Sequence, residues 1–107
     1  MSVIMTLRAS GDPSAVERYA QENQETMQAI LESAKENGVI AHRFYGSDDG
    51  QVMVVDEWPD PQSFQSFFEA ESAAIGPIMQ ETGVQGEPEI TFWRKLETGD
   101  DIGWEEA

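Results

Sequence analysis

The chain has 107 residues, 39% of them hydrophobic, and a formal net charge of −15. This length and hydrophobic content predict one globular domain with a single core. The acidic charge disfavours nucleic acid and anionic membranes as partners, and the absence of cysteine excludes disulfides, thiolate nucleophiles and sulfur-based zinc sites.

The first part of the chain predicts a strand, a helix and a second strand. Apolar residues alternate through residues 2–10, as in a half-buried strand. Asp12 and Pro13 mark the start of a helix, because aspartate caps the first free N–H groups and proline suits the first turn. An apolar stripe continues this helix to about Asn37. Residues 39–45, "VIAHRFY", then predict the second strand.

The second part repeats this order after a hairpin turn, "SDDG". The returning strand covers residues 51–58 and ends before a proline, which cannot donate a ladder hydrogen bond. Asp60–Pro61 repeats the capping signal of the first helix. Gly76–Pro77 is expected to kink or interrupt this second helix, which ends near Gly83. Residues 89–96, "EITFWRKL", predict a fourth strand.

The element order predicts an α+β fold, a ferredoxin-like βαββαβ sandwich with a four-stranded antiparallel sheet and two helices on one face. Both faces of the strands carry apolar residues, since Met5 and Val54 have apolar neighbours in Ile4 and Val55. An uncovered apolar face is unfavourable in water. We therefore expect a homodimer packed sheet to sheet, an α/β barrel whose two sheets enclose pockets for a small-molecule ligand.

The domain is expected to cover residues 1–96, followed by an acidic C-terminal tail at 97–107, "ETGDDIGWEEA". The tail either frays or docks on a partner through Trp104. No apolar run approaches the roughly 18 residues of a membrane span, and the N-terminus lacks the pattern of a signal peptide. We expect a cytoplasmic protein.

The segment "VVDEWPDPQSFQSFF" resembles the dimeric α/β-barrel superfamily, in particular its antibiotic-biosynthesis-monooxygenase (ABM) type. Members typically have an acidic residue two positions before a tryptophan at the end of the third strand, then an amphipathic helix; Asp56, Trp58 and Phe64 match. The resemblance covers about residues 2–96 and implies cofactor-independent oxygenation of electron-rich aromatic molecules. Where many members carry a histidine on the second helix, this chain has Phe67, and this departure argues against haem chemistry.

His42 is the only histidine and the first candidate catalytic residue. If the hairpin pairs Ser47 with Gln51, the register places His42 opposite Asp56. A carboxylate beside an imidazole orients the ring and fixes its tautomer, which suits removal of a proton from a phenolic substrate. The alternative is a cross-strand pair without a catalytic role.

Three strand arginines are candidate substrate-binding residues: Arg8, Arg43 and Arg94. They could hold an anionic or enolate oxygen in a pocket, or they could pair with Glu57 and Glu97 at the sheet edges.

The aromatic residues Phe44, Trp58 and Phe92 are candidates for the wall of the pocket, although such residues also form ordinary cores. No nucleotide-binding, nucleophile-elbow or metal-ligand pattern occurs, so no cofactor and no metal are expected. Two functions remain open. The first is a cofactor-independent monooxygenase acting on a small aromatic or polyketide-like molecule, and the second is a non-catalytic homodimer that binds a small molecule.

Overall fold

The computed structural model describes residues 1–104, and its strands form one antiparallel sheet in the order β2-β3-β1-β4. Helices cover one face of this sheet, so the structure confirms the predicted ferredoxin-like α+β fold. In chain order the elements are β1 (Val3–Ser10), α1 (Pro13–Glu22), α2 (Gln24–Glu36), β2 (Ala41–Gly46), β3 (Gln51–Trp58), α3 (Pro61–Ala70), α4 (Ser72–Glu81) and β4 (Gln85–Trp93).

The two aspartate-proline signals start α1 and α3 as predicted. Asp12 Oδ1 accepts a hydrogen bond from the Ser14 N–H at 2.9 Å, and Asp60 Oδ1 accepts one from the Ser63 N–H at 2.8 Å. The bond from the Ser63 N–H lowers the pKa of Asp60 below its ordinary value, because it favours the ionised carboxylate.

Each helix predicted from the apolar stripe is in fact a pair of shorter helices. Asn23 separates α1 from α2, and both its backbone N–H and its side-chain amide donate to the Tyr19 carbonyl, at 2.9 and 3.0 Å. Asparagine competes for backbone groups in this way and favours helix ends. The apolar period continues across the break, which is why the period alone predicted one helix.

The second interruption lies at Glu71, so the prediction of an interruption at Gly76–Pro77 is wrong. These two residues lie inside α4. The Ser72 hydroxyl donates to the Glu69 carbonyl at 3.1 Å, and such local bonds compete with helix continuation.

Two strand boundaries differ from the sequence prediction. β2 begins at Ala41, because the Val39 N–H still closes the preceding helix by donating to the Ala34 carbonyl at 3.0 Å. β4 extends from Gln85 only to Trp93, and its pairing with β1 shifts register between Arg8 and Ser10. An edge strand with a bulge tolerates glycine and proline, which made residues 85–88 look like a loop.

The end of β2 lies directly against the start of α1. A Cβ atom on Gly46 would lie 2.6 Å from Pro13 Cβ and 2.8 Å from Pro13 Cγ, so only glycine fits without a shift of one element. This contact fixes the position of β2, an edge strand, relative to the helices.

The two faces of the sheet have different environments. The helix-covered face contains the core, in which Trp58 and Met5 are 0% and 1% exposed. The opposite face, which we call the open face, includes Ile4, Thr6, Arg8, Arg43, Tyr45, Val55, Glu57 and Trp93. Trp93 on this face is 54% exposed, although its indole N–H donates to Thr6 Oγ1 at 2.9 Å.

After β4, residues 94–104 have no helix or strand. Lys95 pairs with Asp101 at 3.2 Å, and this pairing raises the pKa of Lys95. Trp104 is exposed, and residues 105–107 of the predicted tail lie outside the described residues. None of the helices in residues 1–104 is both long enough and apolar enough to cross a membrane.

Candidate functional site

A cavity of about 160 Å³ lies between the helix-covered face of the sheet and the helices. An apolar protein cavity of about 150 Å³ is large enough to bind benzene, so this one has room for an aromatic ring. Its sheet wall includes Met5, Leu7, Ala9, His42, Phe44, Val52, Val54 and Asp56. Its helix wall includes Val16, Tyr19, Met27, Ile30, Leu31, Ala34, Phe64, Phe67, Phe68, Ile75, Ile78 and Met79.

His42 and Asp56 form a hydrogen-bonded pair in the sheet wall of this cavity. They are direct cross-strand neighbours on β2 and β3, and His42 Nδ1 lies 2.7 Å from Asp56 Oδ1. The hairpin produces this register because the Ser47 N–H donates to the Gln51 carbonyl at 2.9 Å and Gly50 takes the left-handed conformation, with φ 87°. The register predicted from the sequence is therefore confirmed.

The second oxygen of Asp56 also has a partner. Trp58 Nε1–H donates to Asp56 Oδ2 at 3.0 Å, so each carboxylate oxygen has one side-chain hydrogen-bond partner. A buried carboxylate without such bonds would destabilise the fold by several kcal/mol, on the order of the cost of an unpaired buried charge. The two hydrogen-bond partners explain how Asp56 can be only 4% exposed.

The pair stands out chemically in its surroundings. Among the described residues that line the cavity, no lysine or arginine occurs, and His42 and Asp56 are the charged or readily charged groups. Tyr19 and Thr82 add hydroxyl groups, and the Thr82 hydroxyl already donates to the Ile78 carbonyl at 2.8 Å. A single acid–base pair thus faces a largely apolar space.

The mouth of the cavity lies at β2. The His42 side chain is 34% exposed and Phe44 is 45% exposed, although both line the cavity. Their rings meet edge to face, with centroids 5.2 Å apart. A ligand entering beside the β2 edge would therefore meet Phe44 and the His42 ring before the apolar interior.

The predicted substrate-binding residues do not lie together. Phe44 lines the cavity, whereas Trp58 and Phe92 pack in the core behind its wall. Arg8 and Arg43 lie on the open face, because they alternate with residues of the covered face. Arg8 forms an ion pair with Glu89, and Arg43 donates to the Tyr45 hydroxyl at 3.2 Å. Arg94 follows the end of β4 and is exposed.

The cavity that His42 and Asp56 line lies within a single chain, between its helices and its sheet. Pockets between the sheets of two copies stay a prediction. The apolar faces of the helices supply the other wall of the cavity, and an apolar period does not separate a filled core from a cavity wall.

No group of three or more histidine, aspartate or glutamate side chains suited to hold a metal ion occurs within residues 1–104.

The chain resembles known proteins in its structure but not in its sequence. No protein-family model and no curated protein matches the chain. Among solved structures, a monooxygenase of Streptomyces coelicolor in complex with the ligand Nanaomycin D superposes with a TM-score of 0.66 at 16% identity, over 91% of this chain and 89% of that one. An antibiotic biosynthesis monooxygenase superposes with a TM-score of 0.62 at 12% identity, over 91% and 100%.

A dimeric ferredoxin-like protein from an uncultured marine organism superposes with a TM-score of 0.64 at 10% identity, over 90% of this chain and 89% of that one. The protein therefore has the ferredoxin-like fold that these structures share. At these identities the likeness shows the fold, and the chemistry has to be argued from the site.

Proposed function

We propose that the protein is a cofactor-independent, monooxygenase-like enzyme that acts on a small aromatic or polyketide-like molecule in its cavity. The observation that carries this proposal is the His42–Asp56 pair, joined at 2.7 Å in the wall of a largely apolar cavity. A buried carboxylate that orients an imidazole is a common arrangement for proton transfer.

In this proposal His42 is the general base. Asp56 holds Nδ1, which leaves Nε2 to accept the proton of a substrate hydroxyl or activated CH group. The imidazolium that results is stabilised by the adjacent Asp56 carboxylate. The apolar wall limits water around the substrate anion, which strengthens its electrostatic interactions.

The substrate supplies the electrons for the oxygen chemistry. In an anthrone, loss of a proton from the central CH₂ group gives an electron-rich anion that reacts with O₂. The CH₂ group becomes a carbonyl, one oxygen atom enters the product, and the other leaves as water, so no external reductant is needed. The expectation that no cofactor takes part stays a prediction.

The proposal assigns substrate contact to Phe44, because its ring lies at the mouth beside His42. Arg8 and Arg43 have no step in it, since they lie on the other face of the sheet. Arg94, the buried ring of Trp58 and the partly buried ring of Phe92 likewise have no direct substrate contact in it.

We also propose a homodimer joined through the open face. The exposed Trp93, Tyr45 and Ile4 on this face support it, as does the name of the dimeric marine neighbour. The Nanaomycin D complex of the Streptomyces neighbour supports a small-molecule ligand. The cytoplasmic location, the lack of nucleic-acid or membrane partners and the division between domain and tail stay predictions.

The alternative is a non-catalytic protein that binds a small molecule in the same cavity. The observation in its favour is the aromatic content of the wall, which includes Phe44, Phe64, Phe67 and Phe68. Such a wall binds an apolar ligand without any chemistry.

One experiment separates the two functions. The protein is incubated with anthrone and with 1,4-dihydroxynaphthalene, and both O₂ uptake and ligand affinity are measured. We expect O₂ uptake that His42→Ala lowers by about a hundredfold or more, as for loss of a general base. Tyr45→Phe on the open face of the same strand is the control and should retain the wild-type rate.

Binding without O₂ uptake would favour the non-catalytic alternative, and failure to bind either molecule would contradict the aromatic ligand. Wild-type rates in His42→Ala would remove His42 from the mechanism.

A further inference from the structure

The Asp56 carboxylate connects an indole to an imidazole. Oδ2 accepts from Trp58 Nε1–H at 3.0 Å, and Oδ1 lies 2.7 Å from His42 Nδ1. We propose that Trp58 is a positioning residue, which fixes the orientation of Asp56 and through it the tautomer of His42. The catalytic meaning of this role rests on the proposed function, whereas the hydrogen-bond order does not.

Trp58 is the most deeply buried member of the group. It is 0% exposed, and its ring lies 5.8 Å from that of Phe64 and 5.6 Å from that of Phe67, measured between centroids. Pro59 follows it immediately and ends β3. The direction of the Nε1–H bond is therefore set by the core and not by the cavity.

The indole N–H fixes which atoms donate and which accept in the hydrogen bonds from Trp58 through Asp56 to His42. Tryptophan Nε1–H donates and never accepts, and an ionised carboxylate accepts and never donates. With Oδ2 facing Trp58, Oδ1 faces His42 and calls for a hydrogen on Nδ1. Neutral His42 is therefore expected with Nδ1 protonated, and Nε2 is the nitrogen left to accept a substrate proton.

Asparagine at position 56 makes this dependence measurable, because its amide has one accepting and one donating side. Trp58 requires the accepting oxygen on its own side, so the amide NH₂ group must face His42. Nδ1 of His42 then has to accept, and the hydrogen moves to Nε2. Asp56→Asn should therefore convert His42 from the Nδ1–H to the Nε2–H tautomer.

The requirement disappears when the indole N–H is removed. In the double variant Asp56→Asn, Trp58→Phe nothing on the core side demands the amide oxygen. The amide is then free to turn and accept from Nδ1–H, so a share of His42 with Nδ1 protonated should appear in the double variant. A purely structural role of Trp58 predicts no such change of tautomer.

The measurement is a long-range ¹H–¹⁵N correlation spectrum of the imidazole, at a pH where His42 is neutral. The chain has one histidine, so the spectrum of the full-length protein contains a single imidazole pattern. Backbone amide spectra of each variant verify the fold. We expect mainly Nδ1–H in the wild type, Nε2–H alone in Asp56→Asn and a measurable share of Nδ1–H in the double variant.

Two variants on the open face serve as matched controls. Glu57→Gln neutralises the carboxylate next to Asp56 in sequence, and Trp93→Phe removes an indole N–H that donates to Thr6 on the same sheet. Neither should change the His42 tautomer, and Asp56→Asn, Trp93→Phe should keep the Nε2–H form.

Persistence of Nδ1–H in Asp56→Asn would overturn the proposal, as would a double variant that stays in the Nε2–H form. If the double variant does not fold, Asp56→Asn still tests whether Asp56 sets the tautomer of His42. The role of Trp58 is then tested by hydrogen exchange of its indole N–H in the wild type. Exchange as fast as that of exposed Trp104 would contradict a hydrogen bond from Trp58 to Asp56. All of these readouts need no substrate, so the proposal can fail while O₂ uptake succeeds, and the reverse.

Discussion

The two faces of the sheet differ in what covers them and in which side chains they carry. The helix-covered face encloses a core, a cavity and a hydrogen-bonded acid–base pair. The open face carries exposed Trp93 and Tyr45 beside two arginines, one of them paired with Glu89. Consecutive residues of one strand therefore serve opposite environments, and a shift of one residue would exchange them.

The difference teaches which polar residues can act together. His42 is next to Arg43 in the chain, and Asp56 is next to Glu57, yet each pair of neighbours points to opposite faces. Because successive side chains alternate between the two faces, few ionisable groups lie near the cavity. The arginines of the open face cannot assist His42 from the other side of the sheet.

The largest effect is expected from the core. Phe64→Ala removes a ring that is 3% exposed and packs on Trp58, so it should lower the free energy of unfolding by about 3–5 kcal/mol. Trp93→Ala on the open face should lower the intrinsic stability of one chain much less. Urea unfolding at low and high protein concentration checks both; equal losses at low concentration would contradict the contrast between the faces.

The next effect concerns the space inside the cavity. Val54 lines the cavity, and Val55 lies on the open face. Val54→Phe should fill part of the cavity and weaken binding of an aromatic ligand by about tenfold or more, which corresponds to about 1.4 kcal/mol. Val55→Phe is the matched control and should leave ligand affinity unchanged. Isothermal titration with 1,4-dihydroxynaphthalene measures both, and unchanged affinity in Val54→Phe would place the ligand elsewhere.

A third prediction tests the open face as a dimer interface. Light scattering after size exclusion should show a dimer at low micromolar concentration, and Val55→Glu should shift it toward the monomer of 11.9 kDa. Each copy carries a net charge of −15, so added salt should tighten the dimer by screening repulsion. A wild-type protein that stays monomeric would remove this interface.

The smallest effect concerns the cap that anchors α3 on the covered face. The pKa of Asp60 is lowered by its bond from the Ser63 N–H, so the ionised form stabilises the fold above the ordinary pKa and loses this contribution as the pH falls through the lowered value. Asp60→Asn should therefore have a lower melting temperature than the wild type near neutral pH, and the difference should vanish once the pH falls below the lowered pKa of Asp60. A difference that is independent of pH would contradict a charge effect.

The sequence predicts the pairing of neighbouring strands better than it predicts where the helices break and which side of the sheet holds the cavity. The hairpin register is predictable because Gly50 and the "SDDG" turn specify the pairing, and the pairing brings His42 to Asp56. The helix breaks are not, since Asn23 and Ser72 act through hydrogen bonds to carbonyls that the apolar period does not register.

Which side of the sheet holds the cavity also escapes a sequence argument. His42 and Asp56 are predictable as neighbours, but the face they share depends on where the helices pack. The bond from Trp58 to Asp56 escapes as well, because its two partners lie two positions apart on one strand and the ring direction is set by Phe64 and Phe67.

A substitution at Gly46 would change the width of the cavity entrance without changing His42 or Asp56. Any side chain there would wedge the end of β2 away from Pro13, which the rigid ring and the start of α1 hold in place. β2 is an edge strand that also carries His42 and Phe44, so the displacement would alter the entrance without replacing a residue that lines it. A single codon far from the acid–base pair could thus tune which ligand sizes are admitted, and selection for bulkier ligands would have a route that leaves the reacting groups intact.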